Sequence, residues 1–210
     1  MKKIIISFFT CLLFVSCATT KGVENTENRV QITVDDEAKE IIVLYEESID
    51  DEDYNNQKYV FPWPLKLDDK TIWTTYGYAK IYKSSMNIPI DIAWREWENH
   101  PDYKLIMRGW SLGSVMAKIT ARHFLIRAPE GTKIDELTTF GDIKCWLNPF
   151  FSLKKDCVKI REYTNINDVI TWLFLFYRRD VKNRVGGKQE EPGYNVVYIC
   201  IFPYLYTIFF

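Results

Sequence analysis

A serine lies between two glycines at Gly109-Trp110-Ser111-Leu112-Gly113, the segment of this 210-residue chain best suited to covalent chemistry. An apolar run typical of a strand precedes it, and a run with helical spacing follows it. Glycines at these positions allow a tight turn in which two backbones approach closely. Such a turn exposes a serine hydroxyl. The segment therefore predicts Ser111 as a nucleophile, with Gly109 and Gly113 forming the turn around it.

The start of the following helix adds hydrogen-bond donors at the same place. The backbone amide of Leu112 and the positive end of the helix dipole could stabilise an oxyanion that develops beside the serine. A serine also needs a base to accept its proton, and the chain contains only two histidines. His123 lies twelve residues along the helix, about 18 Å from Ser111 by helical rise. His100 precedes the strand and is expected at the opposite end of the sheet, so both histidines are predicted to be structural.

The elements around this segment alternate between strands and helices. This alternation predicts an α/β fold with a mostly parallel sheet and helices on both faces. The Phe61-Pro62-Trp63-Pro64 segment cannot be a regular helix, because prolines remove donors and fix the backbone. The helix after Ser111 is expected to bury one apolar stripe. Strands are predicted over Val30–Val34, Glu40–Tyr45, Tyr103–Arg108, Leu137–Phe140 and Val158–Tyr163, and helices over about Tyr76–Asn99, with a kink at Pro89, and Leu112–Ile126.

The N-terminal 29 residues differ from the rest of the chain. Lys2 and Lys3 precede an apolar run that ends at Phe14-Val15-Ser16-Cys17, the layout of an export signal. The end of this run resembles a bacterial lipoprotein lipobox, which implies that Cys17 is lipidated and that the protein is held at a membrane of the bacterial cell envelope. A signal that is cleaved without lipidation is the alternative. The predicted domains are a signal over 1–16, a lipid-anchored flexible tether over 17–29, and an α/β domain over 30–210.

Three segments together resemble the class 3, or fungal-type, lipase family. Tyr103–Ala117 is similar to the family's nucleophile segment, Leu137–Asp142 to its Thr-Phe-Gly strand, and Tyr163–Ile170 to the segment that carries its triad aspartate. They occur in the family's order, over about Ile41–Trp172. The resemblance implies an α/β-hydrolase fold with Ser111 as nucleophile, Asp168 as the acid of the triad, and a second oxyanion donor within Glu46–Ser48. It also implies hydrolysis of carboxylic esters, of acylglycerols or related lipids, without a metal or organic cofactor.

The chain departs from the family's pattern at several positions. Trp110 replaces the histidine that usually precedes the nucleophile, and Ser114 replaces a glycine. The family's triad histidine follows the aspartate, but no histidine follows His123. The C-terminal Asn195–Phe210 segment carries no charge, and it is interpreted either as a buried final strand or, preferably, as an end that has lost the histidine loop.

Composition excludes some classes of protein. The net charge is −1 and basic residues are scattered, which argues against a nucleic-acid-binding surface. Cys145, Cys157 and Cys200 lack the spacing of metal ligands, and the first two could form a disulfide or be small buried thiols. The sequence thus predicts a lipid-anchored, exported serine esterase or lipase whose catalysis is impaired by the missing histidine. The alternative is a catalytically inactive lipase-like surface lipoprotein with a binding or structural role.

Overall fold

A computed structural model describes residues 30–46, 59–85, 87–141, 145, 152–165 and 183–185. These residues form a six-stranded sheet, a separate two-stranded sheet and three α-helices. The strands are β1 (Val30–Asp35), β2 (Glu40–Tyr45), β3 (Pro62–Leu67), β4 (Lys70–Thr75), β5 (Lys104–Trp110), β6 (Ile134–Phe140), β7 (Cys157–Asn165) and β8 (Asn183–Val185). The helices are α1 (Tyr76–Ser85), α2 (Asn87–Asn99) and α3 (Leu112–Arg127), with a 3₁₀ turn at Leu153–Lys155.

The main sheet has the strand order β1-β2-β5-β6-β7-β8. Only β1 and β2 pair antiparallel, and every other pair is parallel. Helix α3 follows β5 directly and packs on β2, β5 and β6, while α1 and α2 pack against α3. The predicted fold class, a mostly parallel sheet with packed helices, is confirmed. The carboxyl ends of β5, β6 and β7 meet at one edge of the sheet, and Ser111 lies there.

Helix α3 is buried on almost all sides. It was expected to bury one apolar stripe, but its buried residues also include Lys118, Thr120 and His123. The apolar residues contact the sheet and the other two helices, while the polar ones find partners inside the protein. The Tyr45 hydroxyl, for example, donates to Thr120 Oγ1 at 2.6 Å. The helix is therefore the centre of the domain rather than a surface helix.

Two local predictions need correction. The single kinked helix expected over Tyr76–Asn99 is two helices, and the break falls before Pro89 rather than at it. Pro89 lies in the first turn of α2, where a missing N–H removes no helical hydrogen bond. The proline-containing segment after Phe61 is the strand β3, which pairs antiparallel with β4 in the small sheet. The prolines are tolerated because β3 pairs on one side only.

Candidate active site around Ser111

Ser111 is the single residue between the end of β5 and the start of α3. Its backbone has φ 51° and ψ −119°, a conformation that L-residues rarely adopt. Two hydrogen bonds hold it: the Ser111 amide donates to the Phe140 carbonyl at 2.8 Å, and its carbonyl accepts from the Ser114 amide at 2.9 Å. A backbone of this kind stores about 1–3 kcal/mol of strain. The surrounding structure thus holds Ser111 in a backbone conformation that is unfavourable for a serine.

The two glycines are required by backbone packing. A Cβ atom on Gly109 would lie 2.2 Å from the Gly113 carbonyl oxygen. A Cβ atom on Gly113 would lie 2.3 Å from the Glu46 carbonyl oxygen and 2.4 Å from that of Tyr45. The end of β2, the end of β5 and the first turn of α3 therefore meet with only hydrogen atoms between them. This close approach brings the chain that follows β2 against the turn at Ser111.

The Ser111 hydroxyl is not used to cap the helix. Ser111 occupies the N-cap position of α3, but its side chain makes no capping hydrogen bond. Leu112 is the first helical residue, so its amide has no partner within the helix. Both the hydroxyl and the neighbouring donor are thus available at the carboxyl edge of the sheet. Of the predicted second donor segment, Glu46 is described and lies against Gly113, whereas residues 47 and 48 lie outside the described residues.

Asp168 and Cys17 also lie outside the described residues, as does Cys200. Strand β7 ends at Asn165, three residues before Asp168. It runs parallel to β6, which pairs with β5, and Tyr163 is level with Phe140 and Trp110. The strand that leads to Asp168 therefore ends at the same sheet edge as the strand that leads to Ser111.

His123 is held by partners away from Ser111. The Tyr82 hydroxyl lies 2.8 Å from His123 Nδ1, and Asp68 Oδ2 lies 3.0 Å from its Nε2. Arg127 also binds Asp68, at 2.7 Å. Burial lowers the pKa of His123, and the neighbouring Asp68 carboxylate only partly offsets this. His123 thus joins α1 and α3 to the turn between β3 and β4.

His100 lies beyond the opposite end of the sheet. It follows α2 and precedes β5, so it is separated from Ser111 by the length of that strand. Its Nδ1 lies 2.9 Å from the Glu96 carbonyl oxygen, and its ring contacts that of Tyr103 at 4.7 Å between centroids. The structural roles predicted for the two histidines agree with these contacts.

Two features near the candidate site were not predicted. Lys118 of α3 and Glu162 of β7 form a fully buried ion pair, with 2.6 Å between Nζ and Oε1. The rings of Trp110, Phe140 and Tyr163 stack across β5, β6 and β7, with centroids 5.3 and 5.1 Å apart. The sequence signal for the ion pair was a lysine in the middle of an apolar helix. The signal for the stacked rings was that three neighbouring strands end in aromatic residues.

Within the described residues, no three His, Cys, Asp or Glu side chains are grouped to bind an ion. Cys145 and Cys157 are buried free thiols, which corresponds to the second of the two predicted alternatives. None of the described helices is long and apolar enough to span a membrane.

The sequence of the chain matches a known protein family. The family model described as Lipase (class 3) matches residues 68–177, which is more than half of the chain. The chain belongs to the class 3 lipase family. The match includes Ser111 and both glycines of the turn, and it extends past the segment that contains Asp168. No curated protein sequence matches the chain.

Solved structures of fungal lipases share the fold of this class 3 lipase relative. Rhizomucor miehei triacylglyceride lipase is 18% identical with a TM-score of 0.58, over 75% of this chain and 60% of that one. Lipase II from Rhizopus niveus is 18% identical with a TM-score of 0.58, over 74% and 59%. A fungal lipase in complex with an inhibitor is 19% identical with a TM-score of 0.60, over 69% and 55%. The chain therefore spans less than two-thirds of the length of these lipases.

Proposed function

We propose that this class 3 lipase family member is an exported, lipid-anchored serine hydrolase that cleaves carboxylic esters of acylglycerols or related lipids. The observation that carries the proposal is the backbone of Ser111, a non-glycine residue at φ 51° with its hydroxyl unused by the helix cap. Such strain is concentrated at functional sites. A turn with no chemistry could relieve it by having glycine at this position.

The reaction would proceed through an acyl-serine. Ser111 Oγ attacks the ester carbonyl carbon while its proton passes to a base, and the Leu112 amide donates to the oxyanion. Collapse of the tetrahedral intermediate expels the alcohol, which takes up a proton. Water then attacks the acyl-serine and releases the carboxylic acid. Asp168 would stabilise the charge that the base acquires.

The base determines how fast this reaction runs. Both histidines of the chain contact other partners, as described above. A serine hydrolase that lacks one member of its triad retains roughly 10³–10⁴-fold acceleration over water from binding and oxyanion stabilisation. We therefore propose slow turnover, in which Ser111 is acylated far less readily than in a complete triad.

The N-terminal segment and the position at which the domain begins support the proposed location. Val30 of β1 is level with Tyr45, which is level with Gly109. Two strand spacings of about 4.8 Å place Val30 roughly 10 Å from Gly109, at the edge where Ser111 lies. An anchor at Cys17 would thus be tethered to the candidate active-site edge. Such a tether would keep this edge near lipid.

Labelling with a fluorophosphonate probe tests the hydrolase proposal. We expect the purified full chain to be labelled slowly, and Ser111→Ala to abolish the labelling. Ser114→Ala is the matched control, because Ser114 is three residues away and fully buried. It should leave labelling intact. Absence of labelling in a wild-type chain that shows cooperative unfolding would refute the proposal.

The engaged histidines favour a second candidate, a lipid-surface-binding protein without turnover. In that case Ser111→Ala would change neither labelling nor vesicle binding. Incorporation of labelled palmitate that is lost in Cys17→Ser would support the anchor for either candidate. A wild-type chain that incorporates no palmitate would refute the anchor independently of the chemistry at Ser111.

A further inference from the structure

Three exposed aromatic side chains occur together where the small sheet begins. Tyr59, Phe61 and Trp63 are 40–48% exposed, although aromatic rings are usually buried. Tyr76, at the start of α1, connects them. Its ring stacks on Phe61 with centroids 5.1 Å apart and meets Trp63 and Tyr59 edge-on at 5.0 and 5.7 Å. We refer to Tyr59, Phe61, Trp63 and Tyr76 as the aromatic patch.

The patch is supported by a well-packed base. Leu65, Leu67 and Ile72 of the same hairpin are fully buried in the core. Amides at the start of α1 donate to the patch backbone: Tyr76 to the Phe61 carbonyl and Gly77 to the Tyr59 carbonyl, both at 3.0 Å. At the other end of the hairpin, the turn is held by the ion pair between Asp68 and Arg127. The rings are therefore exposed on a rigid support.

The chemistry of the patch suits the boundary between water and lipid. Segments 59–64 and 71–76, which include all four residues of the patch, contain no charged residue. Tryptophan and tyrosine combine an apolar ring with a polar group, and they concentrate at membrane interfaces for that reason. Inserting uncharged side chains below the lipid headgroups requires no desolvation of an ion. A protein partner would more often be matched by charged groups around the rim.

The proposed lipid anchor in the N-terminal segment favours a bilayer as the partner of the patch. Residues 17–29 are thirteen residues between the proposed lipid site and the domain, a reach of at most about 45 Å. A domain on such a short tether has a high effective concentration at the bilayer, so modest contacts suffice to dock it. We propose that the aromatic patch docks the domain onto the surface of the bilayer that holds the anchor. This inference rests on the proposed envelope location.

Quenching of tryptophan fluorescence by brominated lipids tests the docking. The full chain is reconstituted into phosphatidylcholine vesicles with or without brominated acyl chains. Residues 1–29 contain no tryptophan, so the anchor itself contributes no signal. We expect clear quenching of the wild-type chain, and loss of at least half of it in Trp63→Phe. Trp73→Phe is the control, because Trp73 is 42% exposed but lies on the opposite face of the hairpin from Trp63.

A second variant separates loss of the reporters from loss of docking. Phe61→Ser/Trp63→Ser should abolish quenching of the remaining tryptophans while the circular dichroism spectrum is retained. A vesicle-bound wild-type chain without quenching, or quenching removed by Trp73→Phe instead, would overturn the docking proposal. Self-association that disappears in Phe61→Ser/Trp63→Ser would also overturn it, by assigning the patch to a second copy. A chain that does not remain with the vesicles would instead refute the envelope location.

Discussion

Lys118 Nζ lies 2.6 Å from Glu162 Oε1, and neither side chain is exposed to solvent. The lysine lies two helical turns after Ser111, and the glutamate lies on the strand that leads toward Asp168. Their contact joins α3 to β7 beneath the carboxyl edge of the sheet. Removal of one partner leaves a buried charge without its counterion, which usually costs more than the intact pair contributes.

Lys118→Met should therefore lower the free energy of unfolding by about 3–5 kcal/mol. Lys118→Met/Glu162→Leu should recover most of this loss, because no buried charge is left. Urea denaturation measures both values. Lys39→Met serves as the control: it breaks an ion pair with Asp102 whose side chains are each 61% exposed, and it should cause no measurable change. A double variant no more stable than Lys118→Met would contradict this account.

Gly109→Ala should prevent the native backbone from forming, because its Cβ atom would overlap the Gly113 carbonyl. We expect a loss of more than about 3 kcal/mol or failure to fold, since the contact is with backbone that cannot rotate away. Gly131→Ala is the comparison, because Gly131 has φ 88° but no atom within 4 Å of the added Cβ. It should cost only about 1–2 kcal/mol from the left-handed conformation. Equal losses in the two variants would show that overlap at Gly109 is unimportant.

Ser111→Gly should be more stable than Ser111→Ala, by roughly 0.5–1 kcal/mol. Glycine relieves the strain of a positive φ, and this gain exceeds the greater entropy that glycine adds to the unfolded chain. Both variants lack the hydroxyl, so thermal unfolding compares the backbones alone. If alanine proved as stable as glycine, Ser111 would not be strained in solution.

The His123 cluster predicts a pH dependence of stability. The Tyr82 hydroxyl can donate to Nδ1 of neutral His123, and Asp68 Oδ2 lies 3.0 Å from its Nε2. The pKa of His123 lies below its usual 6.5, so the unfolded state binds more protons between the two pKa values. The free energy of unfolding should therefore fall as the pH drops below about 6.5.

His123→Gln should reduce this fall when urea midpoints are measured between pH 7 and pH 5. The Asp68 carboxyl does not interfere, because its pKa is held below its usual 3.8, mainly by the Arg127 guanidinium. Its stabilisation is complete above that value and is lost only as the pH falls through the lowered pKa. An unchanged slope in His123→Gln would assign the pH dependence to other groups.

Five of the six strands of the main sheet were predictable, because buried strands are short apolar runs that end at polar or glycine residues, whereas β8 (Asn183–Val185) was not predicted. Val158–Tyr163 was placed within two residues of the observed β7 at each end. The turn at Ser111 was predictable because its glycine spacing is local in the sequence. The buried ion pair of Lys118 was not predictable, because a lysine is normally solvated and its partner Glu162 lies 44 residues away in the sequence. The β3–β4 hairpin was not predicted, because Pro62 and Pro64 argue against a strand. These prolines are compatible with β3 only because β3 lies at the edge of its sheet.

The packing of Gly109 and Gly113 limits which substitutions this chain can accept during evolution. Each glycine is fixed by backbone atoms of another element, so mutational drift at either position is opposed by folding itself, whether or not the protein catalyses anything. Folding stability instead favours replacement of Ser111, since glycine would fit its backbone conformation better. A lineage that had abandoned catalysis would keep both glycines and could lose the serine at no cost in stability. Among these three residues, the serine is therefore the one whose retention indicates selection for catalysis.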